Sequence, residues 1–181
     1  MGQEDPVARR EIVTLGHPTL RVKAKKIHRV DESIKALVQD LIDTLEATPN
    51  GAGLAAPQIG VPLRAIVTLA DGTRRVVINP EIVEESEEEV EGEEGCLSIP
   101  GWYGPVWRKQ KVTVRGLGPS GKPLKVKTED FEARVFQHEI DHLDGVLFVD
   151  RIEDRSRLHR VEPEEEASDD EDEVADTEAL A

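Results

Sequence analysis

Two imidazoles four residues apart constrain this chain more than any other feature. His138-Glu139-Ile140-Asp141-His142 reads HExxH. On a helix, positions i and i+4 face the same way and can share one cation. Glu139 stands next to the first imidazole, where its carboxylate can take a proton from a polarised water. Phe131–Leu143 keeps helical spacing, with Phe131, Val135 and Phe136 apolar, and Phe136, Ile140 and Leu143 marking a buried face. Gly145 is placed to end the helix. Gln137 and Asp141 are candidate outer partners for the ligands. The plain alternative is a chance HExxH on a solvated helix, and the apolar face beside the motif argues against it.

Two imidazoles leave a catalytic cation short of one protein donor. The fold must therefore bring a distant segment to this helix. No third His follows at HExxHxxGxxH spacing, because residue 148 is Phe, and no glutamate follows on a second helix. Cys96, the one cysteine of the chain, lies in Glu94-Gly95-Cys96-Leu97-Ser98-Ile99-Pro100. Its glycine-flanked setting lets a thiolate approach a cation. A lone buried cysteine is often only a small hydrophobe; an HExxH in need of a donor favours the ligand reading. One cysteine also excludes an internal disulfide, and with it a stapled secreted fold.

A third segment, Gly51-Ala52-Gly53-Leu54-Ala55-Ala56-Pro57-Gln58-Ile59-Gly60, imitates a dinucleotide fingerprint with Asp71 twenty residues on. That fingerprint needs a strand before it and a helix after it. Here a helix precedes and Pro57 follows. Glycines that let the backbone approach a ligand fit better. Gln58 can donate its amide to a developing oxyanion, or it is simply a turn residue.

The remaining elements set the fold class. Asp31 or Ser33 caps a helix in which Ile34, Leu37, Val38, Leu41, Ile42 and Leu45 recur at three and four, and Pro49-Asn50-Gly51 stops it. Residues 64–70 and 73–79 flank Asp71-Gly72, a hairpin signal. Residues 112–117 and 124–128 flank Gly118-Pro119-Ser120-Gly121, a second hairpin. Val146–Val149 reads as a short strand. Strands joined by tight turns mean antiparallel sheet, so the class is α+β. The expected architecture is antiparallel sheets and hairpins around a central C-terminal HExxH helix, plus an N-terminal amphipathic helix. The expected organisation is a loose arm over 1–10, a catalytic domain over 11–160 and a disordered acidic tail over 161–181.

Charge narrows the partners. Residues 162–181 carry eleven acidic side chains and no basic ones, and without them the formal charge goes from −15 to −4. No basic stripe appears, so specific nucleic-acid binding is not expected. The tail lacks the apolar residues that ordering requires and reads as solubilising. Eight glutamates within Glu84–Glu94 read as a strand or loop with one solvated face. No apolar run approaches the roughly 18–20 residues that cross a bilayer. The start, MGQEDPVARR, has no apolar core of a secretion signal, so a cytoplasmic location is expected. Trp102, Tyr103 and Trp107 form either a substrate-facing rim or ordinary hairpin packing. His17, His28 and His159 lack motif context.

The three segments together, GAGLAAPQIG, EGCLSIP and QHEIDHLDG, resemble the signature of the peptide deformylase family. Gly16-His17-Pro18-Thr19-Leu20-Arg21 is similar to that family's N-terminal signature, and the likeness spans about residues 11–155. The resemblance implies a hydrolase that removes the N-formyl group from the initiator methionine of new polypeptides and releases formate. It implies that Cys96, His138 and His142 hold one ion per chain, often Fe(II), with Zn, Ni or Co able to replace it. It implies Glu139 as general base and then acid, with the Leu97 N–H and the Gln58 side chain on the oxyanion. The segment Gly51, Ala52 and Gly53 would pair with the substrate backbone. Phe131 and Val135, seven and three residues before His138, are either part of the methionine pocket or ordinary core. Ala52 stands where the family more often has a larger aliphatic residue, implying a roomier pocket wall. Expected partners are formyl-methionyl nascent chains near the ribosome, and the chain is expected to be a monomer. Two rivals are a zinc endopeptidase, disfavoured by the missing third His or Glu, and a closed structural metal site, disfavoured by the missing fourth ligand.

Overall fold

In the computed structural model, residues 9–161 are described. The expected tail from 162 onward and residues 1–8 of the expected arm lie outside them. Arg10, at the end of that arm, is anchored. Its backbone N–H donates to Thr44 Oγ1 at 2.9 Å and its guanidinium to Asp40 at 2.8 Å.

The first helix, α1 (Glu32–Glu46), forms where the apolar spacing places it. The Asp31 carboxylate accepts the Ile34 N–H at 3.1 Å and caps it. Its buried stripe packs against Leu54, Ala65, Val67 and Ile78. Those residues lie on β1 (Gly53–Ala55), β2 (Ala65–Ala70) and β3 (Thr73–Glu85). After β3 the chain forms β4 (Glu89–Cys96), β5 (Ile99–Lys109), β6 (Lys111–Leu117) and β7 (Pro123–Glu129). Then come α2 (Asp130–Leu143) and a two-residue β8 (His159–Arg160). Both expected hairpins are present, as β2–β3 and β6–β7.

The strands make a five-stranded antiparallel sheet, ordered β1-β2-β3-β6-β7, and a three-stranded sheet, ordered β4-β5-β8. Alternation along β2 divides the core. Val67 faces the α1 cluster, while Ile66 joins Ala55, Val77, Val112, Val114 and the α2 residues Ala133, Phe136, Ile140 and Leu143. The other flank of α2 meets β5, where the Gln137 amide accepts the Lys109 N–H at 3.0 Å and donates to the Lys109 carbonyl at 2.8 Å. Gln137 therefore ties helix to sheet and does not back a ligand.

The run Val146–Val149 is not a strand. A 3₁₀ turn spans Phe148–Asp150. Asp150 accepts the Leu147 N–H at 2.8 Å and is held by Arg21 at 2.5 Å, which closes the chain on itself. Leu147 and Phe148 are buried against Ile99, Val106 and Ile152 instead of lining a sheet. Gly145, at φ +74°, turns the chain out of α2, and a side chain there would meet the Arg21 carbonyl at 2.9 Å.

Candidate metal centre and catalytic cleft

The β4–β5 hairpin carries Cys96 to α2. Its reverse turn is Leu97-Ser98, with Cys96 paired to Ile99. One donor atom each of Cys96, His138 and His142 lies within 4.8 Å of the others, and Cys96 Sγ is 3.3 Å from His142 Nε2. Glu94 accepts from His138 Nδ1 at 3.0 Å, which leaves Nε2 for the cluster. Phe148 stacks on the His138 ring at 6.3 Å. Among the described residues this is the one group of three such donors.

Burial works to lower the His138 pKa, yet hydrogen bonds to Cys96 and Glu94 lift it well above the usual histidine value. Burial, and then the His138 charge, push His142 well below it. A soft sulfur with two imidazoles suits Fe(II) or Zn, and three protein donors leave a position open.

Glu139 is 3 % exposed, and burial pushes its carboxyl up to about 7, against the pull of the His138 charge. A side chain at Gly53 would meet Glu139 Cγ and Cδ at 2.8 Å. Glycine at 53 is thus what lets β1 lie against this carboxylate. Gln58 is 1 % exposed, and its orientation is fixed. Its Oε1 accepts the Ala55 N–H at 2.9 Å, so Nε2 points to Ser98 Oγ at 3.2 Å and Cys96 Sγ at 3.7 Å.

A cleft of about 380 Å³ opens beside these groups. Gly51, Ala52, Gly53, Gln58, Cys96, Leu97, Phe131, Val135, His138 and Glu139 all line it, so nearly every expected site residue meets here. His142 sits behind the lining, 1 % exposed. Phe131 is an exposed aromatic at the rim, 51 % accessible, whereas Val135 is buried. Trp102 and Tyr103 belong to the lining; Trp107 does not.

Asp141, expected beside the ligands, pairs with arginines and not with an imidazole, and the sequence does not mark Glu94, Arg108 and Arg134 as its neighbours in the site. Glu94, expected on a solvated face, is buried and accepts from Arg108 at 2.8 and 2.9 Å and from Arg134 at 2.8 Å. Arg108, 4 % exposed, also donates to Asp141 at 2.6 Å, and Asp141 accepts from Arg151. Burial opposes ionisation of Glu94, but the hydrogen bonds and charges of Arg108 and His138 hold its pKa well below the usual carboxylate range. The one sequence signal was position, two residues before the cysteine.

Comparison with known proteins agrees with this geometry. The model of the family described as polypeptide deformylase matches residues 9–158. A peptide deformylase of Thermomicrobium roseum is 52 % identical over 170 residues, covering 88 % of this chain and 95 % of its own length. A crystal structure of a peptide deformylase from Legionella pneumophila superposes with TM-score 0.78 at 45 % identity, covering 82 % of this chain and 89 % of its own. The Synechococcus elongatus peptide deformylase, solved in complex with actinonin, superposes with TM-score 0.79 at 36 % identity, covering 87 % and 86 %.

Proposed function

The chain belongs to the polypeptide deformylase family, and we propose that it hydrolyses the N-formyl group of methionyl nascent peptides through the residues of this cleft. The observation that carries the reading is the meeting of one sulfur and two imidazole donors beside a buried carboxylate. Cys96, His138 and His142 would hold one divalent ion, Fe(II) by our reading, with Zn, Ni or Co as substitutes. Such an ion supplies Lewis-acid charge and acidifies water.

The chain's own groups supply the rest. Glu139 takes the proton of the attacking water and returns it to the leaving amine, so formate and a free amino terminus result. A carboxyl near neutrality suits both halves of that task. Gln58 Nε2 and the Leu97 N–H meet the charge that develops on the formyl oxygen. Gly53, the first residue of the edge strand β1, and Gly51 and Ala52, which lead into it, pair with the substrate backbone. Phe131 and Val135 form the wall for the methionine side chain, and Ala52 leaves that wall roomier. We place the protein in the cytoplasm, near the ribosome, as a monomer; no helix among the described residues is long and apolar enough to cross a membrane.

Assay of anaerobically purified protein on formyl-Met and acetyl-Met peptides tests the reading. Formate from the first, with both peptide chains left intact, is expected. Internal cleavage would make it an endopeptidase instead.

A further inference from the structure

Thr68 interrupts the apolar run of β2, and its hydroxyl is a buried group that the mechanism above does not use. The residue is fully buried, and its Oγ1 has no hydrogen-bond partner. A buried hydroxyl without a partner is destabilising, and such exceptions call for a reason. The sheet register supplies one. Thr68 is the direct cross-strand partner of Gly53. It shares its face of β2 with Ile66, which packs on α2, and its other neighbour Arg75 bonds Glu132 of α2 at 2.6 Å. Directly opposed residues place their Cβ positions about 4.5–5.5 Å apart on one face. The Cβ position of Gly53 lies within 2.8 Å of the Glu139 carboxyl carbon. The missing side chain at 53 therefore opens a space shared by Thr68 and Glu139. Glu139 Oε2 is itself buried without a partner.

We propose that Thr68 is a positioning residue for Glu139. Its hydroxyl donates to the buried carboxylate oxygen, closed by a χ1 rotation or by one bridging water. The inference rests on Glu139 being the proton-transfer group proposed above, but it can be tested apart from activity.

The test is a double-mutant cycle on the full chain with the cation removed, read by urea unfolding, with Thr68→Val as the isosteric probe. In the wild-type background the unfolding constant should rise about fivefold to tenfold, the loss of one hydrogen bond. In a Glu139→Ala background the same change should leave it unchanged or lower it. In the cation-loaded protein, Thr68→Val should lower kcat by a similar factor at unchanged KM, and Thr68→Ser should restore it. An equal effect of Thr68→Val in both backgrounds would overturn the pairing, whatever the activity. Absence of formate release from the unaltered protein would overturn the reading of the site instead, while the cycle still decides the role of Thr68.

Discussion

The two long helices are nearly equal, fifteen and fourteen residues, yet they bury different chemistry. α1 covers the sheet with Ile34, Leu37, Val38, Leu41 and Leu45, and Thr44 is its one buried polar residue. α2 has its own apolar stripe but also buries Gln137, Glu139, Asp141 and His142. The difference lies in what surrounds them. α1 has a sheet on one side and mostly polar residues on the other. α2 is enclosed by β1 and β2 on one flank and by β5 on the other, and three of its polar residues find partners in protein, while Glu139 Oε2 and His142 Nδ1 have none. Gln137 finds Lys109, Asp141 finds Arg108 and Arg151, and His138 finds Glu94. A helix that only closes a core can be apolar on one stripe; one that buries ionisable groups brings polar partners with it.

This contrast can be broken at four points. The largest effect belongs to Glu139→Gln, which should lower kcat by ~10³-fold or more while the cation stays bound, checked by formate release and elemental analysis together. Arg108→Leu comes next. It leaves Glu94 and Asp141 short of a buried counter-charge and should cost about 3–5 kcal/mol in urea unfolding, with cation affinity falling as Glu94 loses its hold on His138. Leu41→Ala in α1 should cost about 2–4 kcal/mol with kcat unchanged, since it only removes packing. An equal fall in kcat would erase the distinction between the helices.

The smallest effect is at the α1 cap. The Ser33 hydroxyl and the Ile34 N–H lower the Asp31 pKa from its ordinary 3.8. A folded-state pKa below the unfolded one gives stability that is complete above about pH 4 and lost as pH falls through the folded value. Asp31→Ala should therefore lower the urea midpoint slightly at pH 7 and reduce its fall between pH 4 and pH 2. An undiminished acid-side fall would remove Asp31 from the account.

The same contrast shows what could be read in advance. α1 was legible from apolar periodicity and its Asp31 cap, and the β2–β3 and β6–β7 hairpins from their turn residues. The three motif segments were legible because their residue types are costly to place without a chemical role. β4 and β5 were not, since a glutamate-rich strand and one interrupted by Pro100, Gly101, Gly104 and Pro105 carry no clean alternation. Glu94 was hidden among seven neighbours of the same type in Glu84–Glu94. Its burial depends on Arg108 and Arg134, which the fold brings from another strand and from α2. The 3₁₀ turn over Phe148–Asp150 escaped because its four-residue apolar run fits a strand equally well, and the contacts that fix the turn, of Asp150 with the Leu147 N–H and Arg21, come from the folded chain.

A hairpin sulfur and two helix imidazoles should converge on one cation and leave a position open. X-ray absorption at the metal edge of the anaerobically purified chain tests it most directly. One ion per chain is expected, with one sulfur at about 2.3 Å, two imidazole nitrogens at about 2.0–2.1 Å and a light-atom ligand in the remaining place. A shell without sulfur, or one closed by a fourth protein donor, would contradict it.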